Sequence, residues 1–390
     1  MDFNHTEQAF AYKKNWELVR DYTIYSLMRY DFLVKSGIVV ANSMIRFGFK
    51  LPLTMGVRPT VFPLFVGGKS LKGAMPKINQ LYQYNISTIL DYGVEGKGDE
   101  EDFEHTAQAI KEAIIFASEH DEVEIVSSKF TSLIPFSILE RLHRNKDLNE
   151  DDREIFRACK KRIESIAALA YEKGVPLYID AEESWIQRPL DEMTIDLMRK
   201  YNKEKVIIYN TIQLYLQHRL KEYEKQVELA KQEGFLYGAK LVRGAYLEKE
   251  AEYANRNNLK NPIQVSKSYT DKAFDTAVAF SLQNIEHVAV SIATHNENSI
   301  LKAIDYARKL KLPREHAHIH FAQLLGMSDH ISFNLAKAGW RVSKYMPYGP
   351  VKEVLPYLIR RAQENSSVSD QIGRELQLHK QEMKRRKLLF

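Results

Sequence analysis

Short apolar segments alternate with longer helical patterns along most of this chain, and this alternation constrains the fold more than any other feature of its 390 residues. The apolar segments are rich in β-branched residues and nearly continuous, which is typical of parallel strands buried on both faces. They cover residues 87–92, 123–129, 176–180, 206–210, 239–243, 288–294, 318–321 and 341–345. Strand and helix alternating in this way predict an α/β fold with a (β/α)8 barrel, and a doubly wound sheet is the alternative.

Three segments lie outside the regular alternation. Residues 15–48 have a helical pattern and precede a link punctuated by proline and glycine, so residues 1–70 are expected to form an N-terminal helical arm and link. Residues 134–173 are longer than one crossover requires, which predicts an extra helix and a loop. We expect the barrel to span residues 71–375, ending in a helix over its mouth, and residues 376–390 to form a basic tail.

Composition and charge exclude several classes of protein. Lysine and arginine exceed aspartate and glutamate by 56 to 51, and this excess is spread along the chain, so no basic field indicates nucleic-acid binding. Cys159 is the only cysteine, which excludes an intrachain disulfide and a cysteine-cluster metal site and agrees with a reducing compartment. No apolar run reaches the roughly 18 residues that span a bilayer, and residues 1–20 lack an apolar signal region. We therefore expect a cytoplasmic protein without a secretory signal or transit peptide.

Polar side chains occur at the ends of seven of the eight predicted strands. In barrel enzymes the reacting groups lie at the carboxyl ends of the strands, so such residues are expected to share a ligand. They are Lys129 after the second strand, Asp180 ending the third, Gln213 after the fourth, Lys240 and Arg243 on the fifth, Thr294 and His295 ending the sixth, Gln323 after the seventh and Tyr345 ending the eighth.

Two adjacent arginines, Arg360 and Arg361, lie in a helical pattern and share a face with Tyr357. Guanidinium groups match the two oxygens of a carboxylate, and charge-assisted hydrogen bonds contribute about 1.5 to 3 kcal/mol each. The pair therefore predicts a site for a small carboxylate. An exposed arginine pair on a surface helix is the alternative.

Four motifs in chain order carry a family resemblance. They are Asp180-Ala-Glu-Glu, Lys240-Leu-Val-Arg-Gly-Ala-Tyr, Ala293-Thr-His-Asn and Tyr357-Leu-Ile-Arg-Arg. Over residues 87–365 the chain resembles proline dehydrogenase, and residues 321–327 and 345–350 are most similar to its mitochondrial branch and bacterial relatives. The resemblance implies a distorted (β/α)8 barrel and FAD-dependent oxidation of L-proline to 1-pyrroline-5-carboxylate, the first step of proline catabolism. Because a chain of this length has no room for the aldehyde dehydrogenase module of bifunctional relatives, a monofunctional enzyme is implied.

The resemblance also implies roles for residues at the matching positions. It implies FAD contacts at Ala181, Gln213, Arg243, Gly244, Ala245, Thr294 and His295. It implies that Lys129, Asp180, Arg360 and Arg361 surround proline, and that Leu324, Tyr345 and Tyr357 pack against its ring. Small residues at 244 and 245 leave room for a flavin to approach the backbone, and Gln213 can both donate and accept hydrogen bonds. Asp180 and Lys129 can neutralise each other in the free site.

Asp180 and Lys240 are the expected catalytic residues. Lys240 stands where many bacterial relatives have an arginine that approaches the flavin N5. The positive charge is therefore kept, but the planar guanidinium group with its paired donors is lost. The implied reaction moves a hydride from the ring carbon beside the nitrogen onto N5, which is easiest when the amine is neutral. Arg360 and Arg361 would hold the carboxylate, and no covalent nucleophile is needed.

Tyr345 is the expected determinant of substrate choice. The related hydroxyproline-oxidising branch resembles this chain but carries a small serine at that position, which makes room for a ring hydroxyl. The phenol of Tyr345 should exclude that hydroxyl, so it predicts a preference for L-proline over trans-4-hydroxy-L-proline. Two alternatives stay open, hydroxyproline dehydrogenase activity and Tyr345 as core filler.

The tail predicts a membrane surface as a partner and a quinone as the electron acceptor. It holds Lys380, Lys384, Arg385, Arg386 and Lys387 before a final Leu-Leu-Phe, and basic groups near an anionic membrane contribute about 1 kcal/mol each. The alternative is a solvated, frayed terminus.

Other patterns are weaker. A flavin barrel like methylenetetrahydrofolate reductase, and an amino-acid sensor without activity, are the remaining alternatives for function. His316, His318 and His320 would share a strand face, but no carboxylate or cysteine motif accompanies them, so no metal is expected. Adjacent Glu182 and Glu183 point in opposite directions on a strand end, which argues against a glycosidase pair.

Overall fold

Eight parallel strands close into one barrel in chain order from β1 to β8 in the computed structural model, which describes residues 1–46, 55–93, 98–367 and 369–389. The strands are β1 Ser87–Tyr92, β2 Val123–Ser128, β3 Leu177–Ile179, β4 Ile208–Gln213, β5 Tyr237–Val242, β6 Val288–Ala293, β7 Ile319–Leu324 and β8 Val342–Tyr348. The closed barrel confirms the predicted (β/α)8 fold. The doubly wound alternative is wrong because such a sheet is open and keeps two edges.

Helices precede, separate and follow the strands. They are α1 Thr6–Ala9, α2 Asn15–Met28, α3 Asp31–Arg46, α4 Phe62–Phe65, α5 Leu71–Tyr82, α6 Glu100–Ser118, α7 Phe136–His143, α8 Glu150–Lys173, α9 Ser184–Tyr201, α10 Arg219–Glu233, α11 Leu247–Arg256, α12 Lys267–Gln283, α13 Glu297–Lys309, α14 Asp329–Lys337, α15 Leu355–Ser367 and α16 Ser369–Arg385, with a 3-10 turn at Phe130–Ser132. The extra helix predicted between the second and third strands is confirmed, since both α7 and α8 lie there.

Three strands differ from their predicted bounds in ways that affect the site. β7 runs to Leu324, so the prediction that Gln323 follows the seventh strand is wrong, and Gln323 lies inside it. The side chain of Asn202 accepts hydrogen bonds from the backbone N–H groups of Ile207 and Ile208, both at 2.9 Å, and β4 then runs to Gln213. Gln213 therefore ends the strand instead of following it. β8 stays paired with β1 up to Tyr348, so the prediction that Tyr345 ends the eighth strand is wrong, and Tyr345 lies inside it.

Local sequence sets the ends of several helices. Asp99 and Asn149 cap α6 and α8, accepting backbone N–H groups of Asp102 at 2.9 Å and Asp152 at 2.7 Å. Each side chain satisfies one N–H group that the helix leaves free. Gly174 ends α8 with a φ of +69°, a conformation that glycine adopts without steric penalty.

The chain divides into two compact units. Gly96–Ala322 contains β2 to β6, most of β7 and the helices α6 to α13. The second unit combines Met1–Glu95 with Gln323–Phe390. The functional division expected from the sequence, with boundaries at residues 70 and 375, stays a prediction.

The N-terminal helical arm is confirmed as far as residue 46, where it consists of α2 and α3 with a break after Met28. The rest of the predicted helical pattern and the start of the link, residues 47–54, lie outside the described residues. An apolar cluster of the second unit joins this arm to the last helices, through Tyr25, Met28, Val354, Leu358 and Ile372.

The C-terminal segment is integrated into the second unit. Leu378 and Met383 of α16 are buried against Ala9, Phe10 and Leu18. Arg386 donates hydrogen bonds to the backbone carbonyls of Phe10 and Lys13, each at 2.7 Å. The alternative of a solvated, frayed terminus is therefore wrong, because this helix has an apolar face that packs on the N-terminal helices.

Among the helices that the structure describes, none combines the length and the apolar character needed to cross a lipid bilayer.

Candidate active site

An ion pair between Asp180 and Lys240 lies at the end of β3. Asp180 directly follows this strand, and Lys240 lies in the middle of β5. The Asp180 carboxylate also accepts a hydrogen bond from Ser127 Oγ at 2.9 Å, and the Lys240 ammonium lies 5.5 Å from the ring centroid of Tyr178. Lys240 is only 6% exposed, so its ammonium group is largely removed from water and the charge of Asp180 stabilises it there.

Lys129 directly follows β2 and is half-buried. Its positive charge lowers the pKa of the Glu182 carboxyl group, which opposes the effect of burial there. The expected neutralisation between Lys129 and Asp180 stays a prediction. Asp180 forms an ion pair with Lys240.

Glu182 is a buried carboxyl group to which the sequence analysis assigned no role. Its Oε1 accepts a hydrogen bond from Thr131 Oγ1 at 2.6 Å, and its Oε2 accepts one from the Tyr246 hydroxyl at 2.7 Å. Burial raises the pKa of Glu182 to about 7, although Lys129 and both hydroxyl groups act in the opposite direction. Its neighbour Glu183 forms an ion pair with Lys249, so the two adjacent carboxyl groups have different partners.

The structure brings Gln213 and Ala245 together. Gln213 Nε2 donates to the backbone carbonyl of Glu182 at 2.7 Å, and Gln213 Oε1 accepts the N–H of Ala245 at 3.3 Å. Gln213 is buried, so these bonds fix the orientation of its amide. Ala181 is also buried, between Asp180 and Glu182 in the chain.

Gly244 is required by the packing of a neighbouring ring. Its φ is +142°, and a Cβ added there would lie 2.3 Å from Cδ1 of Tyr215. The approach of a flavin to the backbone is the reason for this glycine that the family resemblance implies. Tyr215 supplies a second reason that holds in the protein alone.

Arg243 and Thr294 also meet. The Arg243 guanidinium donates to Asp271 Oδ1 at 2.7 Å, to Thr294 Oγ1 at 2.5 Å and to Ser299 Oγ at 2.9 Å. Each of its three nitrogen atoms therefore has a protein partner, and its position is fixed. His295 follows Thr294 and is half-buried.

The remaining predicted residues lie in the unit formed by Met1–Glu95 and Gln323–Phe390. Leu324 and Tyr357 belong to the same apolar cluster, and the Arg361 guanidinium lies 5.3 Å from the ring centroid of Tyr357. Arg360 and Arg361 are both half-buried, so the alternative of an exposed arginine pair is wrong. Tyr345 is half-buried, and its carbonyl accepts the N–H of Leu325 at 2.9 Å.

A buried charge network in this unit escaped the sequence analysis. Asp329 forms ion pairs with Lys13 at 3.0 Å and Lys344 at 2.8 Å, and it accepts a hydrogen bond from the Tyr12 hydroxyl at 2.8 Å. Lys13 also pairs with Asp21 at 2.9 Å. The two lysines hold the pKa of Asp329 well below its usual range. The signal in the sequence was Lys344, a charged residue inside an apolar strand.

The three alternating histidines have protein partners. His318 Nδ1 lies 2.7 Å from the backbone carbonyl oxygen of Ile285, and His316 Nδ1 accepts the backbone N–H of His318 at 3.1 Å. His320 Nδ1 lies 3.8 Å from Glu124 Oε1. Within the part of the chain that the structure describes, no group of three or more histidine, cysteine, aspartate or glutamate side chains is placed to hold a metal ion.

Carboxylate, amide and ammonium groups at the strand ends of a closed parallel barrel lie where barrel enzymes place their active sites. The family model described as Proline dehydrogenase matches residues 74–374, which include every strand of the barrel. The chain belongs to the proline dehydrogenase family.

Individual proteins agree with this assignment. Proline dehydrogenase 1, mitochondrial, from Dictyostelium discoideum is 31% identical over 98% of this chain and 74% of its own length. Hydroxyproline dehydrogenase from Xenopus laevis is 28% identical over 97% of this chain and 89% of its own length. Proline utilization A from Bdellovibrio bacteriovorus has the same fold, with a TM-score of 0.70 at 22% identity, over 93% of this chain and 36% of that chain.

The chain is shorter than several of its relatives. It spans 40% of the mitochondrial proline dehydrogenase 1 of Caenorhabditis elegans and 38% of that of Homo sapiens.

Proposed function

We propose that this chain oxidises L-proline to 1-pyrroline-5-carboxylate with FAD as cofactor, the first step of proline catabolism. The observation that carries the proposal is the match of the proline dehydrogenase family model to residues 74–374. That range contains the ion pair of Asp180 with Lys240, the Gln213 amide and the half-buried arginines of α15.

The residues at the ends of β4, β5 and β6 fit FAD in their chemistry. Gln213 uses one Nε2 hydrogen for Glu182 and keeps a second donor, while Gly244 and Ala245 present backbone with little side chain. The proposed contacts are Ala181, Gln213, Arg243, Gly244, Ala245, Thr294 and His295. When bound, FAD supplies the hydride acceptor, which no amino-acid side chain provides.

Arg360 and Arg361 are proposed to bind the proline carboxylate. Support comes from their partial burial and from the position of the Arg361 guanidinium over the Tyr357 ring, because a partly desolvated cation forms stronger charge-assisted hydrogen bonds. Lys129 and Asp180 complete the proposed polar contacts. Leu324, Tyr345 and Tyr357 are proposed to pack against the ring.

The ion pair of Asp180 with Lys240 suits oxidation of a neutral amine. Oxidation removes a hydride from the ring carbon beside the nitrogen and a proton from the nitrogen, leaving a carbon–nitrogen double bond. An unpaired aspartate would stabilise the protonated ammonium form of proline, which cannot release the hydride readily. Lys240 compensates the charge of Asp180 and therefore weakens this effect.

A product assay tests the proposed reaction. The FAD-loaded chain is supplied with L-proline and an artificial dye as electron acceptor, without nicotinamide nucleotide, and 1-pyrroline-5-carboxylate is trapped with o-aminobenzaldehyde. We expect trapped product in proportion to reduced dye. A strict requirement for a nicotinamide nucleotide would favour the methylenetetrahydrofolate-reductase-like alternative, and proline binding without product would favour the sensor.

Tyr345 is proposed to set the preference for L-proline over trans-4-hydroxy-L-proline, by occupying the space that a ring hydroxyl needs. We expect Tyr345→Ser to raise kcat/KM for the hydroxylated substrate, relative to L-proline, by about tenfold or more, on the scale of relieving one steric conflict. Tyr345→Phe keeps the ring and should keep the preference. Comparable turnover of both substrates by the unmodified chain would instead support hydroxyproline dehydrogenase activity.

A quinone is the proposed electron acceptor, reached at an anionic membrane surface. Lys380, Lys384 and Lys387 of the C-terminal segment are exposed, whereas Arg386 is engaged with the N-terminal helices. Helix α3 adds an apolar face on which Phe32 is 77% and Val40 57% exposed. Exposed apolar residues on one helical face, accompanied by basic residues, are typical of helices that lie in the membrane interface.

Vesicle co-sedimentation tests this membrane contact. Phe32→Ser with Val40→Ser should lower the fraction bound to anionic phospholipid vesicles by about fivefold or more, because apolar area drives such binding. Leu259→Ser with Val265→Ser is the matched control, since these side chains are 57% and 78% exposed in the other unit. Equal partitioning of the two double variants would contradict the proposed surface.

The proposed location follows from this acceptor. The names of curated relatives include the word mitochondrial, whereas the compartment predicted from the sequence is cytoplasmic. We place the chain at the inner face of a quinone-containing membrane, bound peripherally.

A further inference from the structure

Glu182 connects four segments of the Gly96–Ala322 unit. Its carboxylate accepts the hydroxyl groups of Thr131, in the turn after β2, and of Tyr246, in the turn after β5, at 2.6 and 2.7 Å. Its backbone carbonyl accepts Gln213 Nε2 at the end of β4, at 2.7 Å. Its backbone N–H donates to Gln187 Oε1 in α9, at 2.8 Å. One residue thus bridges from β2 to β5 across the ends of β3 and β4.

A second layer of buried groups holds Glu182 in place. Gln187 Nε2 donates to Asp191 Oδ1 at 2.9 Å, and the same oxygen accepts Asn210 Nδ2 at 2.9 Å and Arg219 Nη2 at 2.8 Å. All four of these side chains are buried. Because a fully satisfied buried polar network is rigid, the backbone of Glu182 is fixed relative to α9, α10 and β4.

We propose that Glu182 is a positioning residue that holds the Gln213 amide and the 244–246 turn in the orientation that FAD requires. The inference rests on the proposed function, because Gln213, Gly244 and Ala245 are proposed FAD contacts. Burying a carboxyl group is unfavourable unless its hydrogen bonds compensate. Here the two carboxylate bonds fix the turn after β2 and the turn after β5. Gln213, which is held by the backbone carbonyl of Glu182, in turn fixes the N–H of Ala245 by accepting its hydrogen bond.

FAD affinity after removal of single groups tests the proposal. Tyr246→Phe and Thr131→Val each remove one hydroxyl group, and Glu182→Ala removes the carboxylate. We expect the FAD dissociation constant to rise about fivefold in each hydroxyl variant and about thirtyfold in Glu182→Ala, the scale of one and two lost hydrogen bonds. Glu182→Gln keeps the shape and can bond both hydroxyl groups, because its amide oxygen accepts one of them and its NH2 group donates to the other, so it should restore FAD affinity to within about threefold of the unmodified chain.

Substrate kinetics separate positioning from substrate contact. With FAD saturating, KM for L-proline should stay within about threefold in all four variants, a change below the scale of one hydrogen bond. A large rise in KM with unchanged FAD affinity would make Glu182 a substrate contact and overturn the proposal.

A second measurement needs no FAD. In the FAD-free chain, amide hydrogen exchange of residues 243–246 should be about tenfold faster in Tyr246→Phe and Glu182→Ala, because the turn loses its anchor. Tyr223→Phe is the matched control, since Tyr223 is buried in the same unit with its hydroxyl 2.7 Å from Ser281 Oγ. Glu183→Ala controls for loss of an adjacent carboxylate.

Each outcome supports or overturns the role of Glu182. Unchanged exchange in Tyr246→Phe overturns it, and this variant decides the matter if Glu182→Ala does not fold. Equal effects of Tyr246→Phe and Tyr223→Phe on FAD affinity also overturn it, since they would show general destabilisation. If the unmodified chain binds no FAD, the proposed function fails, while exchange still tests Glu182.

Discussion

At the scale of single residues, surroundings decide what a charged group can do in this protein. Arg361 is half-buried over the ring of Tyr357, and Lys240 is buried against Asp180. Glu182 has a pKa raised to about 7 because it is enclosed, while its neighbour Glu183 is paired with Lys249. Similar side chains therefore have different chemistry because their exposure and their partners differ.

Arg361 gives the most specific prediction at this scale. Arg361→Met should raise KM for L-proline by one to several powers of ten, because a guanidinium bound to a carboxylate through paired hydrogen bonds contributes about 1.5 to 3 kcal/mol per bond. The variant should keep its FAD. Steady-state kinetics and the absorbance of the purified variant measure both quantities.

Arg374→Met is the control for that prediction. Arg374 is half-buried and donates to Asn4 Oδ1 at 2.8 Å, so its loss tests a different arginine of the same unit. If the two variants have the same KM for L-proline, the proposal that Arg361 binds the carboxylate is wrong.

The raised pKa of Glu182 predicts a pH dependence of stability. Its pKa is about 7 in the folded chain against an ordinary value of 4.5, so the folded state binds more protons between these pH values. The contribution of protonated Glu182 to the free energy of unfolding is therefore complete below pH 4.5 and is lost as the pH rises through 7. The charged and titratable groups around it are Lys129, Glu183 and Tyr246.

The glutamine in Glu182→Gln cannot ionise, so this variant should lack the part of the pH dependence of stability that comes from Glu182. We expect the difference in unfolding free energy between the unmodified chain and Glu182→Gln to change by up to about 3 kcal/mol across this window. Denaturant unfolding of the FAD-free chain at a series of pH values measures it, with Glu183→Gln as control. Parallel stability curves for the unmodified chain and Glu182→Gln would contradict the assignment.

At the scale of secondary-structure elements, a buried charge network ties the N-terminal arm to β8. Asp329, the first residue of α14, pairs with Lys13 ahead of α2 and with Lys344 inside β8. Helix α16 packs on α2 through Leu378 and Leu18. The first and last segments of the chain are therefore parts of one core, which fixes the arm instead of leaving it as a mobile appendage.

Asp329→Asn tests this network. The substitution leaves two buried lysines without their shared carboxylate, and breaking such a pair costs about 3 to 5 kcal/mol of unfolding free energy. Glu7→Gln is the control, since Glu7 pairs with Arg385 at an exposed position and should change stability by less than about 1 kcal/mol. Denaturant unfolding measures both variants, and equal stabilities would contradict a supporting role for the network.

At the scale of the whole molecule, the barrel was predictable from sequence because each strand is a short, nearly continuous apolar run. The strand-end residues Asp180, Gln213 and Thr294 were found because the carboxyl ends of parallel strands meet at one rim. The ends of β4 and β8 were misplaced because pairing with neighbouring strands continues beyond the predicted runs, to Gln213 in β4 and to Tyr348 in β8.

Contacts between distant segments were the part that sequence patterns could not supply. Thr131 and Tyr246 lie 51 and 64 residues from Glu182, and Tyr12 lies 317 residues from Asp329. No local periodicity connects such positions. The packing of the C-terminal segment on the N-terminal helices was missed, because attention went to its basic residues and not to Leu378 and Met383, which give it a buried face.

If this chain transfers a hydride from L-proline to bound FAD, L-proline must reduce the flavin, and one spectrum tests this directly. The FAD-loaded chain is mixed with L-proline in the absence of oxygen and of nicotinamide nucleotide, and the flavin absorbance is followed. We predict bleaching of the yellow oxidised band by L-proline and none by D-proline at the same concentration. A band that stays unbleached with L-proline, in a chain that holds FAD, would contradict the account.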